Sequence, residues 1–378
     1  MRILYLANLR LPTEKAYGIQ IAKMCEAFSR AGGTVTLAIP YRRNLIREDF
    51  FDFYGISRAF EVRRLPAFDF YLPGMFDRWA VGVKNFFSAL TLAAYALSRS
   101  DDVIYSRDEG ALFLLSLFHR KLCFEAHSFS KRKNFFYRRF LRKNLRIVTT
   151  TNSLRKEFII LGFKPEDVLV AADGVDIQDF QVKQTPQECR AMLDLPLKKK
   201  LIGYVGQFKT LGMEKGMHIF IEALKLLCQK QDDYAGVVVG GSTRDIDPYR
   251  QGLQALPILF VEQQKHTLIP FYLKAFDVVV MPFPSNHHYA YYMSPLKLFE
   301  YMASGRPIVA SDLPSIREIL NEQNAFLVKP DDHQALAAGI QHALNDPYTR
   351  AIAKKAQGNA GYYTWYTRAK SILRFINN

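Results

Sequence analysis

The sequence predicts an α/β protein of two domains with parallel sheets, and three observations carry that expectation. The chain has 378 residues, a length that suggests two or three domains and supplies ample material for two cores; we take two. Short continuous apolar runs recur, the clearest being Val278–Met281 between Asp277 and Pro282, and such runs fill buried parallel strands. A polar loop and a helix should follow that run. Strand, loop and helix make half of a βαβ unit, and in such sheets ligands sit at the carboxyl ends of the strands.

Composition removes other classes. With 49% hydrophobic and 23% charged residues the chain is ordinary globular material, not disordered or collagen-like. Cys25, Cys123, Cys189 and Cys228 show no C-x-x-C spacing, so zinc and disulfide frameworks are not expected and a reducing compartment is. The start, MRILYLANLRLP, is read as a strand rather than a signal peptide. The longest apolar region, Asn85 to Leu97, reads as too short to cross a bilayer, so a soluble or peripheral protein is expected.

In order, Ile3 to Ala7 is the first strand, and the loop from Leu9 leads through Gly18 to a helix with apolar positions at Ile19, Ile21, Ala22, Met24, Cys25 and Phe28. That loop lacks G-x-G-x-x-G, which argues against a nicotinamide or flavin site. Gly18 would allow close backbone approach by a ligand, or simply end the loop. Thr34 to Ile39 is β-branched and strand-like. From Arg42 to Ser100 the pattern is broken by Pro66, Pro73 and Gly74 before an apolar helix over Phe86 to Leu97. Val103–Tyr105 and Leu122–Phe124 read as short strands, the second leading into Glu125, Ala126 and His127. Arg146 to Thr151 is a strand, Ser153 caps a helix through Leu161, and Val168–Ala171 precedes a turn at Asp173 to Asp176. Gln181 to Lys200 reads as linker and entry helix.

Leu201 to Val205 opens the second domain. The following loop, GQFKTLGMEKG, is no Walker A motif. Ala235–Gly240, Ile258–Val261, Pro307–Ala310 and Ala325–Val328 are further strands; Asp331 caps a helix through Leu344, and the tail from Tyr348 to Ile376 is helical. The single D-x-D match, Asp245-Ile246-Asp247, reads as a surface turn rather than a metal site.

The helix after Val278–Met281 carries the chemistry. Ser294 suits the N-cap, Pro295 the first helical position and Gly305 the left-handed stop. Where a capping box would put Glu or Gln stands Lys297, a cation at the positive end of the dipole. A bound anion would turn that repulsion into attraction. Glu300 is three residues on and shares the face. Cation and amides for phosphate, with a carboxylate for sugar hydroxyls, fit a nucleotide sugar; a solvated Lys–Glu pair fits as well.

The run SPLKLFEYMASGRPIVASDLPSIREIL resembles the nucleotide-binding segment of glycosyltransferase family 4. The resemblance extends over nearly the whole chain, strongest from Leu201 to Val328. It implies the GT-B fold: two Rossmann-like domains with parallel sheets facing across a cleft, here 1–180 for the acceptor and 181–355 for the donor, with a C-terminal helix, 356–378, crossing back to the first. It implies a retaining, metal-independent glycosyltransferase with a nucleotide-diphosphate sugar as co-substrate and no cofactor. Residue by residue, Glu300 would grip the donor ribose and the amides around Ser294, Pro295, Leu296 and Lys297 the diphosphate. The loop from Gly206 resembles one that presents an Arg and a Lys. Lys215 matches the Lys, Gln207 stands where the Arg is expected, and Lys209 would compensate or be a plain surface lysine. His127 falls where the family often has a His facing the donor sugar, although a lone His is also commonly structural; Gly18 falls in the loop facing the diphosphate. The family usually has a further Glu before the ribose carboxylate, with seven residues between them, and Tyr292 occupies its place.

Net charge is +15, from 51 basic and 36 acidic side chains. The stretch Arg120 to Arg146 holds ten Lys and Arg and a single acid, Glu125, interleaved with Phe135, Phe136, Tyr137, Phe140 and Leu141. That pattern fits an anionic membrane surface or polyanionic acceptor first, then a solvated helix with its aromatics in the core; nucleic acid is not expected. The expectation is a cytoplasmic enzyme, peripheral on the inner face of the plasma membrane, taking a glycan or lipid-linked acceptor. The missing Glu and Gln207 leave a second reading, a catalytically silent GT-B protein that binds a partner or anionic lipid.

Overall fold

The computed structural model describes residues 1–70, 77–118, 120–210, 212–230, 233–250, 253 and 256–378, so that Pro73 and Gly74 lie outside the described residues. The chain forms two compact units, Met1–Ala172 with Trp365–Asn378, and Asp173–Thr364. The breaks thus fall after residues 172 and 364, against 180 and 355 as read in the sequence. The chain joins the second unit at once after Ala172, because the Asp173 amide donates to Ser294 Oγ at 3.0 Å and the Val175 amide to the Tyr363 carbonyl at 2.9 Å.

In the first unit the strands are β1 (Arg2–Leu6), β2 (Thr34–Pro40), β3 (Glu61–Leu65), β4 (Val103–Ser106), β5 (Leu122–Ala126), β6 (Arg146–Thr149) and β7 (Val168–Val170). The helices are α1 (Ala16–Arg30), α2 (Phe50–Tyr54), α3 (Asp77–Leu97), α4 (Glu109–Leu115), α5 (Asn134–Arg142) and α6 (Asn152–Leu161). All sheet pairs are parallel, in the order β3-β2-β1-β4-β5-β6-β7. The central strands are buried on both faces, as Ile3, Leu4, Tyr5, Leu37, Ile104 and Phe124 show.

The second unit contains α7 (Pro186–Met192), β8 (Lys200–Val205), β9 (Lys209–Thr210), β10 (Met213–Glu214), α8 (Met217–Lys230), β11 (Tyr234–Val239), α9 (Thr243–Arg250), β12 (Ile258–Val261), α10 (Ile269–Ala275), β13 (Val278–Met281), α11 (Leu296–Ser304), β14 (Ile308–Ser311), α12 (Pro314–Arg317), β15 (Phe326–Val328), α13 (His333–Asn345) and α14 (Thr349–Ala360). Its parallel sheet runs β12-β11-β8-β13-β14-β15. Phe220, Leu224, Val278, Val280 and Ile340 lie in its core, each apolar side chain contributing about 1.5–3 kcal/mol by burial. In both sheets the strand order reverses beside the first strand, between β1 and β4 and between β8 and β13, the doubly wound order whose switch point is the expected ligand crevice.

Several local expectations are corrected. Thr151, not Ser153, caps α6, its side chain accepting from the Leu154 amide; Asp332, not Asp331, caps α13, because Asp331 adopts a left-handed φ and accepts from Ser285. Asp245-Ile246-Asp247 lies in α9 rather than a surface turn, with the Asp245 carboxylate accepting from the Ser242 amide at 3.0 Å and hydroxyl at 2.7 Å. The tail is two helices, since the chain turns at Gly361 before α15 (Trp365–Asn377), which belongs to the first unit. The apolar helix is also longer than read: Trp79–Leu97, 19 residues, is long and apolar enough to cross a membrane by length and composition. It does not stand alone, however, for Ala80, Ala89, Leu92, Ala93 and Ala96 are buried in the first unit.

Candidate functional site

The second unit gathers most of the predicted donor residues at its switch point. β8 ends at Val205, and Gly206 turns the chain with φ +127°; a Cβ there would lie 3.0 Å from Lys297 Nζ. A side chain is thus missing at Gly206 where the lysine of α11 fills the space above the backbone. Gly216 has φ +85°, and a Cβ would stand 1.7 Å from the Pro282 carbonyl oxygen, so the loop before α8 rests directly on the chain leaving β13. The Val205 amide donates to Tyr301 Oη at 2.8 Å, which fixes α11 against β8. Tyr289 Oη donates to the Met213 carbonyl at 3.0 Å, tying the π-helical turn His288–Tyr292 to the β9–β10 hairpin.

Lys297 is only 7% exposed and its Nζ has no hydrogen-bond partner. The ammonium sits 3.7 Å from the Tyr204 ring centroid and 5.5 Å from that of Phe283. Burial drives its pKa well below the usual lysine range and the charge of Lys215 adds to the effect, with Glu300 opposing. Burial also pushes the Lys215 pKa down to about 8. Burial thus disfavours the charged form of both lysines, and Lys215 further disfavours that of Lys297, an arrangement that a bound anion would relieve.

The helix start is available to such an anion. Pro295, not Ser294, is the N-cap of α11, and no side chain caps it. The Ser294 hydroxyl is instead taken by the Asp173 amide. Leu296 opens the helix and Glu300 follows one turn on, 8% exposed, its Oε1 accepting from His266 Nε2 at 2.8 Å. The solvated Lys–Glu pair is overturned: both residues are buried, and the carboxylate pairs with His266. Gln207 is half-buried, its carbonyl accepting from Tyr204 Oη at 3.0 Å; Lys209 is exposed on the hairpin. Tyr292, 7% exposed, has its hydroxyl 3.1 Å from His287 Nε2.

Gly18 and His127 belong to the first unit. The close approach at Gly18 is made by the protein itself, since a Cβ would meet Tyr54 Oη at 2.2 Å and Thr13 Cγ2 at 2.7 Å. His127 follows β5 with Nε2 2.8 Å from Glu125 Oε1. Glu125, 1% exposed, also accepts from Gln20 Nε2, Tyr105 Oη and Arg368 Nη2 at 2.6–2.7 Å. Burial alone would raise its pKa, but Arg368 and His127 hold it well below the carboxylate range.

His266, Tyr204, Phe283 and Tyr301 were not anticipated. His266 and Glu300 are separated by 34 residues, and no local pattern links them. The aromatic at Tyr204 in the strand ahead of the glycine loop was a visible feature, but only the sheet order places it under a lysine of α11.

Residues 199–346 match the family model described as Glycosyl transferases group 1. The lipopolysaccharide core biosynthesis mannosyltransferase LpsB of Rhizobium meliloti is 26% identical over 66% of this chain and 70% of its own length. The D-inositol 3-phosphate glycosyltransferase of Corynebacterium urealyticum is 26% identical over 56% of this chain, which spans about half of that relative, 51%. Among solved structures, HepE of Anabaena in complex with UDP and glucose superimposes with a TM-score of 0.72 over 100% of this chain and 99% of that one, at 20% identity. The chain has the GT-B fold, and its second unit carries a domain similar to the group 1 glycosyltransferases.

Proposed function

We propose that this chain is a retaining glycosyltransferase that moves a hexose from a nucleotide-diphosphate donor to a hydroxyl of a glycan or lipid-linked acceptor in cell-surface polysaccharide or glycolipid synthesis. The observation that carries the reading is the buried Lys297 ammonium without a hydrogen-bond partner, held over Gly206 beside Lys215 and the uncapped start of α11. Relatives named as mannosyltransferases and a GT-B neighbour in complex with UDP-glucose support a hexose nucleotide as the donor.

When the bond from the anomeric carbon to the diphosphate oxygen breaks, negative charge grows on the leaving group. Fixed cations and amides aimed there lower the barrier, since they need no reorganisation at the moment of reaction. Lys215, Lys297 and the amides of Leu296 and Lys297 would serve without a metal, so turnover is expected to survive chelation. Glu300, steadied by His266, would accept from the ribose hydroxyls. Retention implies attack from the face the diphosphate leaves, with a diphosphate oxygen taking the acceptor proton; His127 would hydrogen-bond the transferred sugar. Gln207 and Lys209 remain donor-loop residues on this reading.

The runner-up, a silent GT-B protein that binds a partner or anionic lipid, draws on Tyr292 in place of a carboxylate. A panel of UDP-, GDP- and dTDP-sugars read by melting temperature and nucleotide release separates them. One donor should raise the melting temperature and turn over in the wild type but not in Lys297→Met. Tight binding without release favours the silent form, and no stabilisation by any member sinks the donor site itself.

A further inference from the structure

Helix α3 is apolar on two sides. Ala80, Ala89, Leu92, Ala93 and Ala96 are buried in the first unit, whereas Trp79, Phe86, Phe87, Leu90 and Leu97 are 65%, 58%, 41%, 39% and 37% exposed. Trp79, Phe86, Leu90 and Leu97 follow helical spacing along one stripe, with Val83 and Ala94 filling its gaps. A solvated helix would carry charges on that side. From Trp79 to Leu97 the only charged residue is Lys84, and it is buried 3.9 Å from Asp69.

A basic groove continues from the C-terminal end of that helix. Arg120 Nη2 donates to the carbonyls of Ala96 and Arg99, bringing exposed Leu117 and Phe118 beside the end of α3. Leu117 in turn lines an open groove of 520 Å³ with Phe113, Phe135, Arg138, Arg139 and Arg142. Phe135 is 68% exposed, while Tyr137 and Phe140 of the same helix are in the core. Arg139 is held by Ser116, and Lys133 neutralises Glu109 at 2.7 Å. The side chains of Arg132, Arg138 and Arg142 make no hydrogen bond or ion pair among the described residues.

We propose that the first unit rests on an anionic phospholipid bilayer through the outer stripe of α3, the Leu117–Phe118 corner and the arginines of α5. An aromatic stripe placed in the interface with unpaired arginines beside it matches the two requirements of such a surface, apolar depth and headgroup attraction. The helix lies on the membrane rather than across it. Spanning would strip Ala89, Leu92 and Ala96 from the unit they pack into. The proposal does not rest on the donor reading, because none of these residues belongs to the donor site.

The full chain carries its own probe. Of its two tryptophans, Trp79 is 65% exposed and Trp365 is 3% exposed, so an emission change reports on α3. Vesicles of phosphatidylglycerol with phosphatidylcholine should shift Trp79 emission to the blue, bromine-labelled lipid should quench it, and added salt should weaken both; pure phosphatidylcholine should bind poorly. Arg138→Gln with Arg142→Gln should lower partitioning roughly 30-fold at low salt. Phe86→Ser with Leu90→Ser should abolish the blue shift while leaving the circular dichroism melt unchanged, as both side chains are exposed. Unchanged Trp79 emission with anionic vesicles, or equal partitioning of wild type and both variants, overturns the proposal. So does a wild-type dimer by light scattering that the Phe86→Ser, Leu90→Ser variant converts to monomer, since the stripe would then face a second copy of the chain.

Discussion

A lysine ammonium that is 7% exposed and lacks a hydrogen-bond partner raises the free energy of the empty protein. Lys297→Met should therefore stabilise the ligand-free chain by on the order of 1–3 kcal/mol while removing nucleoside diphosphate binding. Chemical denaturation and calorimetric titration with UDP or GDP read the two effects, and binding that survives the substitution sinks the site. Lys215 gives a pH test. Its folded pKa of about 8 lies below the ordinary lysine value, so between the two the unfolded chain holds the proton more tightly and stability rises with pH. The gain should be at most roughly 3 kcal/mol, and it should vanish in Lys215→Met. Equal slopes from pH 8 to 10 in both proteins would contradict the assignment. A diphosphate bound near pH 8.5 should also draw in a proton, measurable as a buffer-dependent binding enthalpy. These residues show how far reading the sequence could go: Lys297 and Glu300 stood out because a cation opens a helix where a carboxylate is usual, but burial and the His266 partner depend on chain far away.

At the scale of the element, β8, its glycine turn and α11 act as one piece. The Tyr301 hydroxyl accepts from the Val205 amide at 2.8 Å, so Tyr301→Phe leaves a buried amide without its partner and should cost about 1–3 kcal/mol. Donor affinity should fall with it, because α11 carries both Lys297 and Glu300. Gly216→Ala is a harsher test. Its φ of +85° and the Pro282 carbonyl 1.7 Å from the new Cβ allow no relaxed placement, so the melting temperature should drop sharply and nucleotide binding should be lost. A variant that melts like the wild type would mean the loop can move off β13. Strands and long helices were legible from their periodicity. The two-residue strands of the β9–β10 hairpin, the π-helical turn at His288–Tyr292 and β3 were not, since such short or irregular pieces are set by what they pack against.

Over the whole molecule, the last helix completes the first unit. Arg368 of α15 reaches the buried Glu125 at 2.7 Å and donates to the carbonyls of Ala171 and Ala172. Arg368→Met would strip the buried Glu125 of its largest charge partner, leaving it to Gln20, Tyr105 and His127, at a cost on the order of the 3–5 kcal/mol of other broken buried pairs. Limited proteolysis should then cut the first unit before the second. Cleavage in the opposite order would show that the Arg368 pair is not what secures the unit. The basic segment belongs to this scale too: sequence alone left its aromatics divided between core and surface, and the fold assigns Tyr137 and Phe140 to one and Phe135 to the other.

The sequence by itself determined the α/β class, two units, nearly every long element and the identity of the lysines and glutamate at the start of α11. These follow from local rules, namely apolar runs, helical spacing and residues suited to turns. Tertiary structure alone decided that Ser294 serves Asp173 rather than the helix, that the space at Gly18 is filled by Tyr54, and that Lys297 is buried over Tyr204 without a partner. Burial and pairing are sums over neighbours brought together by sheet order, and no stretch of chain contains its own neighbours.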